Sequence, residues 1–158
     1  MVNAILAEPP FRSDRIILIE DTKELQCPAE DKVELLTKNT EPRVTMTDLL
    51  RMTLRLRPDR IIIGEVRGPE ALAMLKAWNT GHPGGVATIH ANSATEALQR
   101  IEDLVGEASQ IIPKRSIAAA INLVIFIERL SHGAGRAVSA VSEVTGLAAG
   151  EYQIADLI

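Results

Sequence analysis

The chain has 158 residues, a formal charge of −4, and 46% hydrophobic against 24% charged residues, which suits a soluble globular protein and excludes a disordered tail, a collagen and a coiled coil. Aromatic residues make up 3%, too few for a base-stacking surface, and the acidic balance argues against a basic nucleic-acid-binding domain. The one cysteine, Cys27, permits neither an internal disulfide nor a cysteine-based zinc site and suits a reducing compartment as a small packing residue, and no apolar run reaches the roughly 18 residues of a membrane span.

Residues 1–8 (MVNAILAE) read as helix, yet no capping residue precedes them, as at the tail of a helix whose start is missing. Pro9-Pro10 ends that helix. Residues 15–20 (RIILIE) predict a strand buried on both faces, and residues 33–37 a second, more exposed strand. Residues 46–56 predict a helix, with Met46, Leu49, Leu50, Thr53 and Leu54 on one face. Thr45 and Asp48 approximate a capping box for it, and Pro58 stops it. Residues 60–65 (RIIIGE) are the next buried strand, and Pro69 opens a helix over 70–79. Residues 84–90 (GGVATIH) are a third buried strand. Ser93 and Glu96 then cap a helix to about residue 105, whose spacing puts Glu102 on the solvent side. Pro113 opens a helix to about 122. Residues 123–129, 136–144 and 151–157 read as strands with glycine turns between them. The alternation of strands and helices predicts one α/β domain over 1–158 with a largely parallel sheet. The last three strands fit antiparallel hairpins on one edge.

In open parallel sheets, ligands bind beyond the carboxyl ends of the strands. The three buried strands end in Glu20-Asp21, in Glu65 and in His90. If they are neighbours, three carboxylates and an imidazole converge on one edge, able to hold Mg²⁺ through water and to orient an attacking water. Strand ends also carry polar residues merely because they reach solvent, and the two readings stand about even. RIIIGE has the form of a Walker B strand with Gly64 where the usual Asp would stand, leaving Glu65 as the acid. Six arginines lie nearby, at 43, 51, 55, 57, 60 and 67, and guanidinium forks suit phosphate. Arg51 and Arg55 are better read as a solvated helix face. His90 could be a phosphate or interface contact or a satisfied core histidine; the spacing of the three histidines argues against a metal. His82, in the turn GHPGG, suits a local hydrogen bond. The phosphate-cradling GxxxxGK[ST] is absent from these residues: no lysine follows a glycine.

Four segments together carry a family resemblance: RIILIEDTKEL (15–25), LRLRPDRIIIGEVRG (54–68), LKAWNTGHP (75–83) and GVATIHANS (85–93). They resemble the Asp box, Walker B and His box of the type IV secretion traffic ATPases, in order and over nearly the whole chain. IEDTKELQCPAE and AWNTGH resemble most the TrbB-type conjugal transfer ATPases. The pilus retraction and type II secretion ATPases share the boxes and rank second. The resemblance implies a RecA-like P-loop NTPase core with boxes at 15–25, 60–65 and 85–93, here without its first strand and P-loop. It also implies a homo-hexameric ring peripheral to the cytoplasmic face of the bacterial inner membrane, working with inner-membrane components of a secretion machine. ATP and Mg²⁺ are the implied ligands, with no other small-molecule substrate and no direct nucleic-acid binding. By position, Glu20, Glu65 and His90 become catalytic candidates, and Asp21, Arg60 and Arg67 nucleotide contacts. Glu65 is the residue near Mg²⁺ through water; which glutamate is the base stays open. The expectation is a segment inactive by itself, and the competing reading is a non-catalytic module that docks into a ring of full-length subunits.

Overall fold

The structure, a computed structural model, describes residues 1–130 and 135–158. The chain divides into two units, Met1–Ile89 and His90–Ile158.

The first unit is organised by β1 (Ile16–Glu20), all five of whose residues are buried. The reason is topological. β1 pairs in parallel with β2 (Lys32–Leu36) on one side and with β3 (Arg60–Ile63) on the other, and β3 pairs in parallel with β4 (Val86–Ala87). The order is β2-β1-β3-β4. A strand with neighbours on both edges and cover on both faces has no side open to water, so its first four residues are isoleucine and leucine without alternation, and only its last, Glu20, is charged. β2 is the edge strand and alternates between exposed and half-buried. Helix α1 (Val2–Leu6) has no side-chain cap, as its sequence suggests. Leu6 joins Ile16, Leu18, Ile62, Cys27 and Ala29 in one apolar cluster, against which Val2 and Leu25 also pack. Cys27 is therefore the packing residue expected.

The elements depart locally from the sequence reading in three places. Pro9 and Pro10 open a short helix, α2 (Pro9–Arg12), rather than only closing α1, since a proline at the first helical position forfeits no hydrogen bond. Helix α3 (Met46–Thr53) has the full Thr45–Asp48 capping box but ends before Leu56. Its last turn tightens through Arg55 N–H to the Met52 carbonyl and Leu56 N–H to the Thr53 carbonyl, after which Arg57 takes φ of 54°. The third strand, expected over 84–90, shrinks to the two residues of β4. Against its amino end packs Trp78, at the end of α4 (Glu70–Trp78). The indole Nε1 donates to the Ile61 carbonyl at 3.2 Å and lies so close over Gly85 that a Cβ there would be 2.2 Å from Nε1.

The second unit begins with α5 (Ala94–Gly106), capped by Ser93, whose hydroxyl accepts the Glu96 N–H. The Glu96 carboxylate accepts from Asn92. The α5 face Ala97, Leu98, Ile101, Leu104 and Val105 is buried. After α6 (Lys114–Ala120) come β5 (Leu123–Arg129), β6 (Arg136–Ala148) and β7 (Glu151–Asp156), in the antiparallel order β5-β6-β7. These strands are a sheet of their own and do not extend an edge of the parallel sheet, a correction to the expected hairpin edge. β6 runs past residue 144 because an irregularity at Val144/Gly146, with Gly146 at φ of 150°, carries the pairing on to Ala148. The glycine turn expected between β5 and β6 falls on residues 131–134, outside the described residues.

Candidate functional site

Parallel pairing of β1 and β3, with Ile19 opposite Ile63, brings two of the strand ends together at the carboxyl edge of the first unit's sheet. Glu20, the last residue of β1, is 4% exposed. Its Oε1 accepts the backbone N–H of Glu24 at 2.9 Å and of Leu25 at 2.8 Å. A buried carboxylate needs such donors, and here it takes them from the loop that follows. Beside it, the Gly64 N–H donates to the Ile19 carbonyl at 2.9 Å. Asp21 is exposed, and its Oδ1 accepts from the Thr37 hydroxyl at 2.7 Å. Further along the same loop, Lys23 pairs with Glu34. That bond raises the Lys23 ammonium above, and holds the Glu34 carboxyl below, their ordinary values.

Glu65 follows Gly64 on a turn held at both ends. The Thr88 hydroxyl donates to the Gly64 carbonyl, and the Val66 N–H donates to the Thr88 carbonyl at 2.9 Å. Beyond it, Glu70 at the start of α4 accepts the N–H groups of Arg67 and Gly68 at 2.7 and 2.8 Å, the arrangement a helix N-terminus favours. The Arg67 guanidinium pairs with Glu65 Oε2 at 2.6 Å. The arginine is mostly exposed and Glu65 half-buried.

Arg60 is not brought to this edge. It begins β3, at the amino end of the strands, where its Nε pairs with Asp14 at 2.5 Å, its Nη1 donates to the Gly84 carbonyl at 3.3 Å and its guanidinium lies 4.5 Å over the Phe11 ring. Those contacts satisfy it as a latch between β3 and the chain entering β1. His90 opens the second unit and is exposed; the edge just described consists of first-unit residues. His82 donates from Nδ1 to the Ala77 carbonyl at 3.1 Å, the local bond its turn suggested. Glu102 is not on the solvent side: its side chain is half-buried in an ion pair with Lys114 at 3.3 Å. Among the described residues, no group of three or more His, Cys, Asp or Glu could hold a metal ion. No described helix is long and apolar enough to cross a membrane.

Sequence reasoning missed three contributors to this edge: Thr88, Glu70 and the glycine itself. Gly64 standing where an Asp is usual was the visible signal for the last. The other two bond backbone groups of the turn with their side chains, and a backbone partner leaves no signal in the sequence.

Residues 2–149 match the family described as Type II/IV secretion system protein. The conjugal transfer protein TrbB of Rhizobium radiobacter is 50% identical over 155 residues, covering 97% of this chain and 46% of TrbB. The chain thus spans about half the length of that curated relative. Among solved structures, the VirB11 ATPase of the Brucella suis type IV secretion system, in complex with sulphate, superposes with a TM-score of 0.74 at 32% identity, over 82% of this chain and 40% of that one. The pilus retraction motor PilT with bound ADP gives 0.64 at 25% identity, over 99% and 41%. The α/β, RecA-like fold with a parallel sheet and C-terminal antiparallel strands is shared with both.

Proposed function

Because the chain belongs to the Type II/IV secretion system protein family, we propose that it is the catalytic-edge part of a hexameric traffic ATPase that energises conjugative DNA transfer, type IV secretion or pilus assembly. The observation that carries this reading is the parallel β1–β3 pair, which sets Glu20 and the Gly64-Glu65 turn side by side where open parallel sheets bind ligands.

The donor set fits a magnesium nucleotide in part. Carboxylates hold Mg²⁺ well through its water shell, and Glu65 with Glu20 can do so. With no group of three His, Cys, Asp or Glu able to hold an ion among the described residues, phosphate and water would complete the shell. Bound there, the ion would neutralise phosphate charge. The phosphate cradle itself is not among these residues, so this segment alone is inactive in our reading. Glu65, the more open of the two glutamates, is the group that accepts a proton from water, and Arg67 orients it through the 2.6 Å pair. Glu20, its Oε1 committed to two amides, shapes the edge. Asp21 and His90 contact nucleotide or the neighbouring subunit. The ring sits on the cytoplasmic face of the inner membrane beside the machine's membrane components.

The test joins this chain to the part of Rhizobium radiobacter TrbB that it does not match and measures Mg-ATP turnover. Glu65→Gln should retain ATP while slowing turnover about 10²-fold or more. Near-wild-type turnover by that variant in assembled rings would remove Glu65 from the chemistry. Rings that assemble without any turnover in the unmutated chimera would favour the non-catalytic module instead.

A further inference from the structure

Three successive amides in the loop after β1 are held by side-chain oxygens that come from two different elements. Glu20 Oε1 accepts the N–H groups of Glu24 and Leu25. The next amide, that of Gln26, donates to Asn3 Oδ1 at 3.0 Å. Asn3 lies 23 residues away on α1, so this bond is tertiary. The surrounding packing explains how the two meet. Val2 and Leu6 of α1 share an apolar cluster with Leu25, Cys27 and Ala29 of the loop. Apolar contact brings the helix and the loop together without setting their register, because it is non-directional. A hydrogen bond is directional and sets it. Gln26 and Glu24 are otherwise exposed, and among the described residues these side-chain bonds are the ones that hold their amides.

We infer that Asn3 is a positioning residue for Glu20: by holding the Gln26 amide it fixes the stretch of loop whose two preceding amides orient the Glu20 carboxylate. Helix α1 then determines where that carboxylate sits at the sheet edge. The inference rests on the reading above only in assigning Glu20 a part in turnover.

Amide hydrogen exchange on the chain itself tests the positioning. Asn3 is half-buried on a short helix, so its replacement leaves the core intact. Asn3→Leu should speed exchange at Gln26 and also at Glu24 and Leu25 by roughly 2- to 10-fold, the range of one net hydrogen bond. Asn3→Asp keeps an acceptor oxygen and should restore protection at all three. Faster exchange at Gln26 alone would overturn the inference, because the two grips would then be independent. In the chimera with the remainder of TrbB, Asn3→Leu should lower kcat with KM for ATP unchanged, and Asn3→Asp should recover it. If Glu20→Gln slows turnover and Asn3→Leu does not, the positioning role fails. If exchange responds as expected but neither variant changes kcat, the positioning stands and the part assigned to Glu20 in turnover fails.

Discussion

Glu20 and Gly64 face each other across the β1–β3 pair, and the glutamate side chain fills the space over the glycine. A Cβ on residue 64 would lie 3.1 Å from Glu20 Cγ and 3.6 Å from Oε1. The buried Glu20 side chain on the adjacent strand thus leaves little room for a side chain at position 64. Gly64→Ala should displace Glu20 by a few tenths of an ångström and strain its bonds to the Glu24 and Leu25 amides. The expected cost is about 1–3 kcal/mol, the range for overpacking, read as a lower denaturation midpoint. Gly64→Asp should be worse, since it presses a second carboxylate against a buried one. A Gly64→Asp chain as stable as the parent would refute the close approach.

Gly85 and Trp78 supply a second close approach. Any side chain at 85 meets the indole at 2.2 Å and the Ile61 carbonyl at 2.8 Å, and backbone does not yield easily. Gly85→Ala should break the bond from Trp78 to Ile61 and cost roughly 2–3 kcal/mol. The chain has one tryptophan, so its emission should shift with the unfolding curve. Unchanged emission and midpoint would contradict this.

Nucleotide affinity offers a third check. These 158 residues carry the strand-edge carboxylates without GxxxxGK[ST], and the cradle of backbone N–H groups and lysine holds the phosphates. Calorimetry with Mg-ATP on the chain alone should find binding weaker than about millimolar, near −4 kcal/mol or less. A low-micromolar dissociation constant would mean that Arg67 and the edge form a site unaided.

The second unit gives a pH prediction. The phenol of Tyr152 is pushed well above the ordinary tyrosine value, first by burial and then by the neighbouring Glu102 carboxylate. The folded state therefore holds this proton more tightly than the unfolded chain. Its contribution to stability is whole below about pH 10, the unfolded value, and is lost as pH rises toward the folded one. With one tyrosine in the chain, phenolate absorbance follows it directly. Half-ionisation should come above pH 10 and move down in Glu102→Gln. The urea midpoint should fall between about pH 9 and 11 in the parent and stay flatter in Tyr152→Phe. Ionisation at the ordinary tyrosine value would show an open phenol.

Much of this protein was determined by its sequence alone. The unbroken apolar run Ile16–Ile19 pointed to a strand covered on both faces, because a strand with one face in water alternates. Capping residues at Thr45 and Ser93 placed two helix starts, since a local side-chain bond needs only local sequence. The acids that end β1 and follow β3 were visible as strand ends, and the boxes around them carried the family. Tertiary structure decided the rest, because those outcomes depend on atoms distant along the chain. Trp78 packs over Gly85, beside the start of β4, by bonding a carbonyl 17 residues before it. Arg60, one more arginine in a basic stretch by sequence, becomes an amino-edge latch only when Asp14, Phe11 and Gly84 arrive beside it. Glu102, outward by helical spacing, turns inward to a lysine twelve residues on. Periodicity reports which face a helix buries on average; where each charge goes is settled by the partner it finds, and folding alone brings that partner near.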